Sequence, residues 1–207
     1  MCTNAHPNGS YLSRQEVFLI LFALATALAG TLPDVQVGDI VFQESTSSQS
    51  AQIQAATNSR YSHVAIVVSV AGHPVVLEAV QPVKLTPLSE WVDRGVDDHI
   101  AVRRPAVPLT DAQRGAIATM GLPWLGRNYD ARFRWDDDRL YCSELVYKLY
   151  EQATGIEVGS KRAVAEFHVD SPNMLAALEK RGIALDQLVV SPADILNDSD
   201  LIEVAPQ

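Results

Sequence analysis

The stretch DDRLYCSELVYKLY, residues 137–150, decides how the chain reads. Leu145, Val146, Leu149 and Tyr150 recur at helical spacing, and Gly155 stands where such a helix would stop. The pattern predicts a helix over 141–153 with Cys142 in its first turn. Unpaired N–H groups at a helix start carry partial positive charge and favour a thiolate. The N–H of Cys142 itself would point toward an oxyanion forming on any carbonyl the sulfur attacked. Two features weigh against that use. Asp136, Asp137 and Asp138 lie just upstream and would repel a thiolate at close range. Positions 142, 145, 146 and 149 also share a face, so Cys142 reads equally as a small core residue.

The chain has 207 residues, a length that suits one domain, and a net charge of −9. That charge speaks against nucleic-acid binding, which needs a basic face to displace counterions, and against docking on anionic lipid by charge. Residues 17–30, VFLILFALATALAG, carry no charge and end in small residues. A run this short does not cross a bilayer core of about 30 Å as a helix. Residues 1–29 read as a secretory signal peptide cut after Ala29, leaving 30–207 as a single domain, periplasmic or secreted, with no stable membrane span. Cys2 would depart with the peptide. Cys142 would then be a lone thiol in an export compartment, where no intramolecular disulfide can form.

Strand signals come first along the mature chain. VGDIVFQE (37–44) and YSHVAIVVSV (61–70) are followed by the turn AGHP, VVLEAV (75–80) and HIAVRRP (99–105). A short helix with a serine cap is expected over 47–58, and a helical turn or two over 87–95. Thr110 caps a helix running to about Gly121, and 124–138 form an aromatic-rich loop. Ser171-Pro172 opens another helix closed by Gly182, and Ser191-Pro192 opens a last short one. Strands first and helices later point to an α+β domain.

A thiol nucleophile needs a base. His73 and His168 fall in polar, solvated segments, and His99 sits near Asp97 and Asp98 as a surface ion pair. His63 differs, because it stands inside the most apolar strand, where a ring needs partners for both nitrogens. It reads either as a satisfied structural histidine or as the base of a Cys–His dyad. Glu78 is a carboxylate in an otherwise apolar strand, and buried carboxylates are rare unless paired. In a hairpin closed over residues 71–74 the two side chains share a face, but Glu78 stands opposite Val67. That is roughly 13 Å from His63 at about 3.3 Å per residue. A bulge, or a two-residue shift of the loop, would bring them into diagonal contact.

The segments GDIVFQ, SSQSAQIQAATNSRYSHVAIVV, LEAVQPVKLTPLSEW and LGRNYDARFRWDDDRLYCSELVYKLYEQATG, with VVSPADI further on, resemble the YiiX/YaeF-like family. These are circularly permuted papain-like cysteine amidases, relatives of the NlpC-type peptidoglycan hydrolases. The resemblance implies a papain-like α+β fold, an antiparallel sheet packed against helices. Carried over by position, it implies Cys142 as nucleophile, His63 as base and Glu78 as the acid that orients it. Tyr61, on the face of His63, is a guess for a substrate or oxyanion contact.

The expected activity is an exported cysteine hydrolase working through a thioester on cell-wall peptides. The rivals are a lipid amide or ester hydrolase or acyltransferase on the same triad, with residues 122–135 lining an acyl groove, and a non-catalytic lipid- or peptide-binding module. No cofactor is expected, and no closely spaced ligand pairs of the structural-zinc kind occur.

Overall fold

The computed structural model describes residues 34–204. The signal peptide, its cleavage point and Cys2 lie outside the described residues. In chain order the elements are β1 (Ile40–Ser45), α1 (Ser50–Thr57), β2 (His63–Val70), β3 (His73–Glu78), β4 (Lys84–Pro87), α2 (Leu88–Asp93), β5 (Gly95–Pro105) and α3 (Asp111–Met120). There follow β6 (Asn128–Tyr129), β7 (Arg139–Leu140), α4 (Cys142–Thr154), β8 (Arg162–Ala163), α5 (Pro172–Arg181), β9 (Leu188–Val189), α6 (Pro192–Leu196) and β10 (Leu201–Glu203). Six strands form an antiparallel sheet in the order β10-β5-β1-β2-β3-β4.

Alternation along β2 explains its apolar run. Val64, Ile66 and Val68, with Ile40, Phe42 and Leu77, pack on Leu145, Val146, Leu149 and Tyr150 of α4. Ala65 and Val67, with Val41, Val76 and Val102, pack on Leu88 and Trp91 of α2. A strand buried on both faces has no polar side to show, unlike the half-solvated strands of most antiparallel sheets. A third apolar cluster joins Val164, Val169, Ile183 and Val189 to Met174 and Leu178 of α5 and Phe133 of the β6–β7 loop.

The β2–β3 register corrects the expected hairpin. Val70 pairs with His73 and Ile66 with Leu77, so the turn is the two residues Ala71 and Gly72. Both have positive φ, 52° and 82°, as a primed turn matching the strand twist requires. Pro74 belongs to β3 and not to the turn. β4 begins pairing only at Val75, so the missing N–H of Pro74 costs no bond on that side. The ladder thus slides by two residues, and one step beyond Leu77 Glu78 stands opposite Ala65, two residues from His63.

Helix ends follow the sequence in most places. Thr110 caps α3 with a reciprocal box to Gln113, and Ser171 caps α5, which ends at a left-handed Gly182. The serine cap expected for α1 is not formed. Gln49 stands at that position without a side-chain bond, and Ser50 Oγ instead meets Ser62 Oγ at 2.5 Å. The strands β4 and β10 were not foreseen, and β5 starts at Gly95 instead of 99. No helix among the described residues is long and apolar enough to cross a membrane.

Candidate active site

The β2–β3 ladder ends at Ile66–Leu77, and α4 begins at the place where the two strands part. Cys142 is the first residue of α4 and His63 the first residue of β2, and the two side chains lie close enough for each to favour the charged form of the other. The backbone N–H groups of Val64 and Ser143 lie near the sulfur and favour its charged form. Residues 79 positions apart come together because α4 packs on β2 and both elements start at the same end of the sheet.

His63 Nε2 is 2.8 Å from Glu78 Oε2, which leaves Nδ1 for the thiol. Glu78 is fully buried, yet its oxygens are well supplied. Thr86 Oγ1 donates to Oε1 at 2.6 Å, and Arg94 Nη2 donates to Oε2 at 2.5 Å. Trp91 shields the imidazole, with ring centroids 6.1 Å apart. Burial opposes charge on all three site groups, and the contacts overcome it. The bonds and charges of Cys142 and Glu78 hold the imidazolium of His63 up to about 9. His63, followed by Arg94 and Thr86, pulls Glu78 down to about 2. For Cys142, His63 and the two backbone N–H groups outweigh desolvation, and the thiol falls below its ordinary value. The contacts of each group favour its charged form, the condition that a thiolate–imidazolium pair braced by a carboxylate would need.

Two residues that sequence reasoning passed over belong to this cluster. Arg94 sits at the α2–β5 junction and read only as part of a helical turn. Tyr129, on β6, lies near Cys142, and burial, followed by the charge of the neighbouring sulfur, pushes its own ionisation well above normal. β6 pairs in parallel with β7, directly before Cys142, and Gln81 Oε1 accepts from Tyr129 N–H at 2.7 Å. Tyr61 is occupied elsewhere. Its hydroxyl is 3.0 Å from His99 Nε2 and its ring stacks on that imidazole. His99 therefore has a tyrosine partner where an ion pair with Asp97 or Asp98 was expected.

An open cavity of about 100 Å³ is lined in part by Cys142. Ile53 of α1, Phe133, Val164, Met174, Leu178 and Val189 line it, so Cys142 borders an apolar groove. Phe133, held at φ 54°, sets its ring edge-on to Tyr141. Asp130 secures that loop by accepting the N–H groups of Arg132 and Arg134 at 2.9 and 2.6 Å.

A helix-borne cysteine beside a strand-borne, carboxylate-supported histidine is the arrangement expected of the papain-like class, and the family comparison puts the chain there. It belongs to the permuted papain-like amidase family YaeF/YiiX, C92, whose model matches residues 34–205. The chain is 40% identical over 192 residues to YiiX of Escherichia coli strain K12, covering 91% of this chain and 95% of that one. A crystal structure of YiiX from Escherichia coli O157:H7, described as a metalloprotein, superposes with a TM-score of 0.79 at 42% identity, over 83% of this chain and 97% of the other.

Proposed function

We propose that this protein is an exported cysteine hydrolase that cleaves an amide or ester of an apolar acyl group through the Cys142–His63–Glu78 triad. The thiolate of Cys142 attacks the carbonyl carbon, and the N–H of Cys142 and the hydroxyl of Tyr129 take up the charge that forms on oxygen. His63 gives its proton to the departing amine or alcohol, and the acyl group stays as a thioester on Cys142. His63 then takes a proton from water as it attacks, the acid leaves, and the thiolate returns. Another acceptor in place of water would make the same site an acyltransferase. Export rests on residues 17–30, the charge-free stretch ahead of the described residues.

The apolar groove that opens on Cys142 carries this reading. A cell-wall peptide brings carboxylates and amines that need polar partners, and the groove offers few. An acyl chain needs none. The related crystal structure is described as a metalloprotein, but here the residues do not fit a bound ion. Among the described residues no three His, Cys, Asp or Glu side chains gather as a metal site. The oxygens of Glu78 already accept from Thr86, His63 and Arg94, so no step is routed through a metal.

Incubation with phospholipids, N-acyl amines and muropeptides, read by mass spectrometry, tests the proposal. Free fatty acid should form from the acyl substrates, and Cys142→Ala should lower the rate by at least about 10³-fold. Cleavage of muropeptides alone would replace the acyl reading with the cell-wall one. No product from any substrate, with Cys142 as slow toward iodoacetamide as a free thiol, would leave a binding module.

A further inference from the structure

A second cavity adjoins the apolar groove. It is polar, with Ser160, Arg162, Glu166, His168, Asp194 and Asn197 around it. The two share Ala56, Thr57, Phe167 and Ser191, which therefore form the partition between them. The partition is held firmly. His168 N–H donates to Ala56 O at 2.9 Å, tying the 167–168 segment to the end of α1. The guanidinium of Arg162 lies over the Phe167 ring, 4.4 Å from its centroid, and is itself anchored on Asp194 Oδ1 at 3.0 Å. Ser191 is fixed by its reciprocal bonds with Asp194.

We propose that Phe167 is the floor of the acyl groove and sets the longest acyl chain that the protein accepts at Cys142. This deepens the acyl-hydrolase reading and rests on it. A chain bound at the carbonyl end by Cys142 runs along Ile53, Met174 and Leu178 and stops at the Phe167 ring. Past that ring an apolar terminus would strip water from the Arg162–Asp194 pair and return nothing, so the polar cavity penalises overlong chains even where the wall yields. The ligand class is a bounded, saturated acyl chain, discriminated at its methyl end by a specificity-determining aromatic residue and not by the triad.

The test alkylates Cys142 of the full chain with N-alkyl iodoacetamides of graded chain length, the rate constant being read at the Cys142 peptide by mass spectrometry. In the unmodified protein the rate should climb with chain length to a limit and then level or fall. Phe167→Ala should move the limit to longer chains and Phe167→Trp to shorter ones, each by roughly tenfold in rate at the length nearest the limit. Circular dichroism establishes that each variant is folded, and the Trp variant decides alone if the Ala variant is not. An unmoved limit in the folded variants, or no limit in the unmodified protein, overturns the role of Phe167 while a rise with chain length keeps the acyl reading. Rates independent of chain length overturn both.

Discussion

Among the described residues, two glutamates are fully buried beside a cation, and they behave in opposite ways. Glu78, at the end of β3, accepts from Arg94, His63 and Thr86 and is pulled down to about 2. Glu144, in the first turn of α4, faces Lys148 Nζ at 2.7 Å and accepts the N–H of Tyr141 at 3.2 Å. Burial wins there, and Glu144 rises to about 8 with Lys148 pulling against it. Depth is the same, so the number and charge of the donors decide. A buried carboxylate with three side-chain donors is a permanent anion fit to hold a histidinium, whereas one with a single ammonium and a long backbone bond is a helix cap that still exchanges its proton near neutrality.

The largest effect should come from Glu78→Gln, which leaves the shape but removes the anion. It should lower kcat/KM by about 10³-fold and slow the reaction of Cys142 with iodoacetamide at pH 6, because the imidazolium that sustains the thiolate is lost. Lys148→Met should cost about 1 kcal/mol in urea denaturation at pH 8, since Glu144 is already partly protonated there and takes up a full proton once its cation is gone. A similar loss of activity from this variant would end the distinction between the two acids.

Smaller is Arg94→Gln. Glu78 keeps His63 and Thr86, so a loss of about tenfold in kcat/KM is expected, with the melting temperature little changed because the Arg94 side chain is 37% exposed. The mildest is Glu144→Gln, read as stability against pH. Folded Glu144 keeps its proton up to about pH 8, while an unfolded glutamate releases it near about 4.3. Its contribution is complete below that lower value and is lost as pH rises through 8. Glu78 does the reverse, present above about 4.3 and lost as pH falls toward 2. Glu144→Gln should flatten the fall between about pH 5 and 8, and an unchanged slope would show that Glu144 is ionised throughout.

Much of the fold was legible because its signals are local. The stripe on α4, the caps of α3 and α5 and the apolar run of β2 each announce an element without reference to the rest. The triad residues stood out as polar groups in apolar surroundings, the condition under which a side chain must find a partner. Their meeting was not legible, since it depends on a turn type that Pro74 disguised. Tyr129 was hidden because a tyrosine in an aromatic loop carries no mark of which way its hydroxyl points, and the two-residue strand that aims it is too short for any periodicity. Arg94 was hidden for a similar reason, being a surface-type residue whose guanidinium reaches inward across α2. Tyr61 shared the strand face of His63, but face alone does not fix reach, and His99 claimed its hydroxyl.

The Ala71–Gly72 turn lies far from the sulfur, yet it acts as a length gauge for the chemistry. Exposed turns usually accept extra residues without complaint. If the turn kept its two-residue form, one residue added here would throw Glu78 to the opposite side of the sheet, and two would carry it roughly 7 Å along the strand, out of reach of the imidazole. A loop library at this tip should therefore divide into variants that fold and react and variants that fold and do not, sorted by nothing but their count of residues.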